Sequence, residues 1–105
     1  MTPRSRKLGI MLSTKPTSAS FNHGLGLAEA ALARGVDVYL YCIDDAVLGL
    51  DDSRLQALNE RGLKLYACAY GAQRRGVPLS AKAIFAGLTV VSDLISGTDR
   101  FVSFN

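Results

Sequence analysis

Five short runs of apolar residues divide the chain, and each run predicts a β-strand. The runs cover Lys7–Ser13, Val36–Ile43, Leu63–Cys68, Lys82–Ala86 and Arg100–Phe104. The first run is almost continuously apolar, which is typical of a strand that is covered on both faces of a sheet. In the second run, Val38, Leu40 and Cys42 alternate with Tyr39 and Tyr41. The two sets should therefore point to opposite faces of the sheet.

Between these runs, apolar residues at three- and four-residue spacing predict helices. The predicted helices are Phe21–Arg34, a second one that begins at Ser53, a short basic one after Cys68 that ends at Gly76, and Leu88–Ser96. The first three helices end in a recurring pattern, which reads Arg34-Gly35-Val36, Arg61-Gly62-Leu63 and Arg75-Gly76-Val77. Glycine just past a helix end adopts a left-handed backbone at little cost, so the recurrence predicts three similar helix ends.

Two of these helices carry further signals. Ser53 and Gln56 are three residues apart and match a capping box at the start of the second helix. In the last helix, Leu88, Val91 and Ile95 share one side. We expect this apolar side to face the sheet.

Strands that alternate with helices and short loops predict parallel pairing with right-handed crossovers. We therefore expect a single domain over residues 1–105, built as a three-layer α/β/α sandwich around a mostly parallel sheet of about five strands. Residues 1–6 are polar and basic, and we expect them to form a lead-in outside the core. No internal repeat or linker interrupts this arrangement.

The composition narrows the class of protein. The 105 residues are 49% hydrophobic and 20% charged with a net charge of +3, as expected for a soluble globular domain. Basic residues are not interleaved with aromatic ones, so we expect no nucleic-acid partner. No apolar run is long enough to span a membrane, and no secretory cleavage pattern is present. We therefore expect a cytoplasmic protein whose two cysteines, Cys42 and Cys68, are reduced.

The candidate chemistry centres on Cys68, which stands where an apolar strand runs into a short basic helix. Ligands of parallel α/β sheets bind at the edge formed by the carboxyl ends of the strands. Two other segments that follow predicted strands should lie at the same edge, namely Ser13–Asn22 and Cys42–Ala46. The unpaired amides of a helix start, with Arg74 and Arg75 nearby, favour a thiolate. Spacing alone leaves a second interpretation equally open, in which Cys68 is a small buried hydrophobe.

Other possible sites are weaker. His23 is the single histidine, so a site with several histidine ligands is excluded, and we expect neither a metal nor a cofactor. His23 fits a first-turn helix residue better than a catalytic base. Asp44 and Asp45 follow the second strand and fit a solvated turn better than a cation site or an acid–base pair. The glycines at positions 24 and 26 lie inside a predicted helix and do not match a dinucleotide fingerprint.

The stretch from Cys68 to Val77, CAYGAQRRGV, resembles the cysteine turn of the DsrE/TusD family of small sulfur-relay proteins. In that family a cysteine is followed by small residues, then by Arg-Gly and Ile or Val. The resemblance covers nearly the whole chain, because its start and its end also resemble the family's first strand and helix and its closing helix and strand. The loop Thr14–Ser20 departs from the pattern, since it lacks a Pro-Tyr-Gly-like segment.

The resemblance implies the three-layer fold, oligomeric assembly and a cysteine that carries sulfur as a persulfide. Only Cys68 falls on the family's cysteine position. The residues that would bind substrate or stabilise the thiolate are Ala69, Tyr70, Arg74, Arg75 and Gly76. We therefore expect a sulfur carrier or sulfurtransferase-type protein that forms a homodimer or homotrimer and meets sulfur donor and acceptor proteins. The alternative is a non-catalytic interaction or small-ligand-binding subunit of the same fold, in which Cys68 is buried and inert.

Overall fold

Residues 6–105, the part of the chain that the computed structural model describes, fold around one sheet of five parallel strands. The predicted lead-in, residues 1–6, lies outside that part except for Arg6. The strands are β1 (Lys7–Leu12), β2 (Asp37–Cys42), β3 (Lys64–Cys68), β4 (Ile84–Ala86) and β5 (Arg100–Phe104). Their order is β4-β3-β2-β1-β5, and every neighbouring pair is parallel. The chain thus builds the sheet outward from β1 to β4 and then crosses back to place β5 beside β1.

Within the same residues, four α-helices and one 3₁₀ helix connect the strands. The α-helices are α1 (Ala19–Ala33), α2 (Ser53–Glu60), α3 (Ala69–Arg74) and α4 (Thr89–Gly97), and the 3₁₀ helix spans Asp44–Gly49. The 3₁₀ helix occupies a segment that the sequence predicted only as a connector. None of the helices in residues 6–105 combines the length and the apolar character needed to cross a membrane.

The three predicted Arg-Gly helix ends are confirmed. Positive φ angles occur at the glycines of all three, Gly35, Gly62 and Gly76. After α1, the amide of Val36 donates to the carbonyl of Ala31 at 3.0 Å, and after α3, the amide of Val77 donates to the carbonyl of Ala72 at 2.9 Å. These bonds satisfy helix carbonyls that would otherwise lack a partner, and they turn the chain back toward the sheet.

The sheet separates two apolar clusters, so the predicted three-layer sandwich is confirmed. On the first face, α1 and α2 cover a cluster whose buried members include Ile10, Phe21, Leu25, Leu40, Cys42, Leu55 and Leu58. On the second face, α4 covers a smaller cluster whose buried members are Tyr41, Cys68 and Leu94. The alternation along β2 predicted this division correctly.

The predicted inward side of the last helix is wrong at Leu88 and Ile95, which are 60% and 54% exposed. Leu94 is the buried residue of α4, and Val90 and Val91 pack beside it. The helix begins one residue after Leu88. Val90 and Val91 precede Leu94 by four and three residues, so they share its side of the helix and face the sheet.

The predicted capping box at α2 is also wrong. Asp52 rather than Ser53 precedes the helix, and its carboxylate accepts the amide of Arg54 at 2.9 Å. Gln56 does not close a capping box, because its Nε2 donates to the carbonyl of Leu50 at 2.7 Å. An ionised carboxylate accepts a backbone hydrogen bond more strongly than a hydroxyl does, which favours the aspartate as the cap.

Candidate functional site

Three elements meet around Cys68 at the carboxyl edge of the sheet. Cys68 is the last residue of β3 and caps the start of α3. The 3₁₀ helix, which follows β2, packs against α3. A methyl group placed on Gly71 would come within 3.6 Å of the amide nitrogen of Asp44. The segment after β2 therefore reaches the Cys68 turn, as the sheet topology predicted.

These elements border an open pocket of about 450 Å³, which we call the cysteine pocket. Its lining residues are Ile43, Asp44, Cys68, Tyr70, Gly71, Arg74, Arg75, Gly87 and Leu88. Of the residues predicted to act with Cys68, the structure therefore brings Tyr70, Arg74 and Arg75 into one pocket with it.

Ala69, Gly76 and the segment Ser13–Asn22 do not line the cysteine pocket. Ala69 is the first residue of α3, and Gly76 forms the turn after that helix. The loop after β1 instead approaches the far end of the 3₁₀ helix, where Pro16 lies close to Gly49. Since β2 lies between β1 and β3, this loop is about 10 Å from the Cys68 strand, given the spacing of adjacent strands.

The sulfur of Cys68 is almost enclosed, with the residue only 4% exposed. Its Sγ accepts a hydrogen bond from the amide of Gly71 at 3.4 Å. Because α3 has only six residues, its macrodipole is small. The local amide, more than the dipole of the helix, is therefore what this turn offers to a negative charge on the sulfur.

The two arginines of α3 have different partners. Arg75 Nε lies 3.0 Å from Oδ1 of Asp45, and Arg75 Nη1 donates to the carbonyl of Gly71 at 3.3 Å. Arg74 donates to the hydroxyl of Tyr70 at 3.0 Å and lies over its ring, 5.7 Å from the centroid. Arg75 thus links α3 to the 3₁₀ helix and shares its charge with a carboxylate, whereas Arg74 lies on the exposed side of the pocket.

The sheet separates Cys42 from this site. Both cysteines are free, and Cys42 is fully buried in the cluster of the first face. Burial raises the pKa of Cys42 to about 12, so its thiol stays protonated at neutral pH. Of the two cysteines, Cys68 is the one that borders a pocket.

Tyr41 is a site residue that the sequence analysis missed. It is fully buried on the second face, in the same cluster as Cys68. Its hydroxyl donates to the carbonyls of Ala86 and Gly87 at 3.3 and 3.4 Å. Burial raises the pKa of Tyr41 above its usual range, and the neighbouring Cys68 thiol raises it further. The available signal was the alternation of β2, which turns Tyr41 toward the face opposite to that of Cys42.

The other candidates for chemistry, His23, Asp44 and Asp45, lie in separate environments. His23 is exposed on α1. Asp44 lines the cysteine pocket with a positive φ of 53°, which aspartate adopts more readily than most residues, and Asp45 is paired with Arg75. In the part of the chain that the structure describes, no three His, Cys, Asp or Glu side chains are grouped as metal ligands would be.

The fold and the site define a class of protein, the small parallel α/β domains with a cysteine turn at the carboxyl edge of the sheet. Residues 6–104 match the DsrE/DsrF-like family, and the chain belongs to that family. The resemblance seen in the sequence is thereby confirmed. No curated protein matches the chain.

Solved structures share the fold. The YchN protein from E. coli superposes with a TM-score of 0.78 at 18% identity, over 96% of this chain and 100% of that one. BT1422, a conserved protein of unknown function from Bacteroides thetaiotaomicron, gives a TM-score of 0.72 at 17% identity, over 92% and 93% of the two chains. At such low identity the likeness establishes the fold alone.

Proposed function

We propose that the protein is a sulfur carrier that holds sulfur on Cys68 as a persulfide. The observation that carries the proposal is the cysteine pocket, where Cys68 accepts the Gly71 amide and where two arginines line the same wall. Membership of the DsrE/DsrF-like family supports it, because the cysteine turn resembles that of sulfur-relay members. The function requires a reduced thiol, and we therefore expect the protein to work in the cytoplasm.

Sulfur transfer at Cys68 needs a thiolate and a place for the resulting anion. The thiolate attacks the outer sulfur of a donor persulfide, R–S–SH, so a new S–S bond forms at Sγ while the S–S bond of the donor breaks. The donor departs as R–S⁻ and takes up the persulfide proton, which leaves Cys68–S–S⁻ and R–SH. Attack by an acceptor thiolate on the terminal sulfur then returns Cys68 to its thiolate. One S–S bond replaces another in each step, so no external oxidant or reductant is consumed.

The Cys68 turn supplies one hydrogen-bond donor for that anion, and a cation lies on the same helix. The amide of Gly71 already donates to Sγ, and the guanidinium of Arg75 is half-buried against the carbonyl of the same glycine. Hydrogen bonds that involve an ionised partner are roughly twice as strong as neutral ones. Arg74 is exposed at the mouth of the pocket, where its charge would attract an anionic donor.

The cysteine pocket is the side from which a donor sulfur would approach Cys68. Gly71 leaves this approach open, because a methyl group in its place would lie 3.7 Å from Sγ. That distance is an ordinary van der Waals contact, so Gly71→Ala should fold. We expect this variant to load sulfur more slowly than the wild type, since the added methyl narrows the path to Sγ.

Sulfur loading tests the proposal. Incubation of the reduced protein with a low-molecular-weight persulfide should add one sulfur atom to the intact mass, and a reductant should remove it. Peptide mapping should locate the sulfur on Cys68. The Cys68→Ser variant should lose the added mass, and the matched Cys42→Ala variant should retain it, because Cys42 lies across the sheet.

Two outcomes would contradict the proposal. Sulfur distributed over both cysteines would indicate unselective thiol reactivity. Failure to add sulfur under conditions that load a known carrier would remove the carrier function and leave the alternative below.

A second candidate function is a non-catalytic subunit that binds a partner or a small ligand and keeps Cys68 inert. The low exposure of Cys68 favours it, because a carrier thiol must be reached by its donor. Exposed apolar side chains near β4 and α4 favour a protein partner, namely Leu79, Ile84, Leu88 and Ile95. With either function we expect a homodimer or homotrimer, which light scattering after gel filtration would detect. A monomer at micromolar concentration would contradict the expected assembly.

A further inference from the structure

Tyr41 shares the second-face cluster with Cys68, and its hydroxyl reaches the end of β4. Tyr41 is paired with Tyr66 in the parallel β2–β3 ladder, and Cys68 lies two residues beyond Tyr66 on the same side of the sheet. β4 lies on the far side of β3, with Ala86 paired with Cys68. The tyrosine side chain therefore crosses β3 beside Cys68 to reach the carbonyl of Ala86.

This hydroxyl has one proton and several possible acceptors. Its hydrogen bonds to the carbonyls of Ala86 and Gly87 are 3.3 and 3.4 Å long, whereas O–H···O bonds are usually about 2.7–2.8 Å. A proton divided between two distant acceptors is held weakly. The thiol of Cys68 packs in the same cluster as Tyr41, and Cys68 is paired with Ala86, whose carbonyl accepts from the hydroxyl, so the sulfur is the third acceptor on this side of the sheet. An anionic sulfur at that position is a stronger acceptor than a neutral carbonyl.

We propose that Tyr41 is a positioning residue for the anionic sulfur of Cys68. Its hydroxyl donates to the carbonyls of Ala86 and Gly87 while Cys68 is a thiol, and it turns to the sulfur when Cys68 becomes a thiolate or persulfide. The change is a rotation about the C–O bond of the phenol, so no covalent bond forms or breaks and the phenol keeps its proton.

This rotation connects the sulfur to the wall of the cysteine pocket. The two carbonyls that the hydroxyl releases belong to the segment that carries Gly87 and Leu88, which line the pocket. The charge on Cys68 is thereby coupled to the segment past which a donor enters. The inference rests on the proposed function in one respect, namely that Cys68 works as an anion.

Other titratable and charged groups face the pair from the surrounding elements. Around the cysteine pocket they are Asp44 and Asp45 of the 3₁₀ helix and Tyr70, Arg74 and Arg75 of α3, and under α4 they are Lys7, Tyr39 and Tyr66 of the sheet and Asp93 of α4. Cys42 lies on the opposite face of the sheet. The arginines stay protonated throughout the accessible pH range, and burial keeps the Cys42 thiol protonated near neutral pH. Tyr66 shares the second face with Tyr41 but lines a different pocket, so it offers a matched control.

Removal of the hydroxyl with retention of the ring separates this role from packing. In Tyr41→Phe, alkylation of Cys68 near neutral pH should slow by about fivefold to tenfold, because the anion loses one hydrogen bond. At high pH, where the thiol is fully ionised, the rate should equal that of the wild type. In Tyr66→Phe the rate should stay within about twofold of the wild type, as for a substitution away from the reacting group.

A purely structural role of Tyr41 predicts the opposite change in the alkylation rate of Cys68. Loss of a buried hydrogen bond alone would loosen the cover over Cys68 and raise the alkylation rate at every pH. An equal or faster rate in Tyr41→Phe therefore overturns the proposal.

Carbon NMR of labelled protein supplies a measurement that leaves Tyr41 in place. The carbonyl shifts of Ala86 and Gly87 should change with pH at the midpoint of the Cys68 alkylation curve, and this change should vanish in Cys68→Ser. Shifts that do not change across that midpoint overturn the proposal. If the shifts change but the protein accepts no sulfur, the carrier function fails and the role of Tyr41 stands. If sulfur loads on Cys68 while Tyr41→Phe alkylates at the wild-type rate, the carrier function stands and the proposed role of Tyr41 fails.

Discussion

The two faces of the sheet differ in the groups that they bury. The first face is covered by α1 and α2 and is packed almost entirely with aliphatic side chains. The second face is covered by α4 and buries a phenol and a thiol, Tyr41 and Cys68, next to Leu94. Buried apolar area contributes about 25 cal/mol per Å², whereas a buried polar group needs a hydrogen-bond partner to avoid a penalty. We infer that the first face supplies most of the stability and the second holds the candidate chemistry.

Adjacent residues of β2 show the consequence for cysteine chemistry. Cys42 points into the first face, where burial keeps its thiol neutral. Tyr41 points into the second face, where its side chain packs in one cluster with Cys68. The reactivity of a cysteine in this fold therefore depends on which face of the sheet its thiol enters.

The largest difference in stability should appear when one buried leucine on each face is replaced by alanine in separate variants. Leu40→Ala should lower the free energy of unfolding by about 4 kcal/mol, because Leu40 is fully buried in the large cluster. Leu94→Ala should lower it by about 2 kcal/mol, because the small cluster relaxes more easily around a cavity. Urea denaturation of both variants measures the difference.

Alkylation of the same two folded variants supplies the control. Cys68 should react faster in Leu94→Ala, which has lost its neighbour, and at the wild-type rate in Leu40→Ala. Equal losses of stability on the two faces would contradict the division of roles.

Alkaline pH should lower the free energy of unfolding, because Cys42 is buried as a neutral thiol on the first face. The folded-state pKa of about 12 lies above the ordinary value of 9.0, so the unfolded chain releases this proton first. The contribution of the neutral thiol is fully present below about pH 9 and is lost as the pH rises toward 12. The expected slope is about 1.4 kcal/mol of unfolding free energy per pH unit within that window.

Urea denaturation at a series of pH values in the wild type and in Cys42→Ala checks this expectation. The variant should lose stability less steeply above about pH 9, where Cys42 begins to matter. Tyr41, whose pKa is also raised by burial, should add a second loss above its ordinary value of 10.0 in both proteins. Parallel curves for the two proteins would show that Cys42 does not contribute.

Substitutions at Arg75 and Asp45 should give the smallest effects. They break the same ion pair but should change the alkylation rate of Cys68 in different directions. Arg75→Ala should slow Cys68 alkylation by about threefold, since the cysteine pocket loses one of the cations that line it. Asp45→Asn should keep or raise the rate, because Arg75 is then no longer neutralised. The ion pair is partly exposed, so each change should cost within about 1 kcal/mol of stability.

The measurement is the alkylation rate of each variant together with its melting temperature. Should Arg75→Ala leave the rate unchanged and lower the melting temperature sharply, Arg75 would be structural. Equal slowing in both variants would point to the geometry of the turn instead of the charge.

Much of the fold was predictable from the sequence because the signals are local. The alternation in Val36–Ile43 predicted which residues of β2 enter each cluster, and the Arg-Gly pattern predicted three helix ends. The same local signals predicted that Cys68 would end a strand at the carboxyl edge and begin a helix with Arg74 and Arg75. Backbone conformation and face assignment follow from neighbours within one or two turns, so the sequence was sufficient for them.

Only the tertiary structure decided which distant groups meet. The sequence could not show that Arg75 pairs with Asp45, or that α4 buries Leu94 and exposes Leu88, since both depend on how separate elements pack. Tyr41 and Ala86 are 45 residues apart, and their hydrogen bond exists because β3 lies between β2 and β4. Periodicity records the face on which a side chain lies, but the strand order determines what else lies on that face.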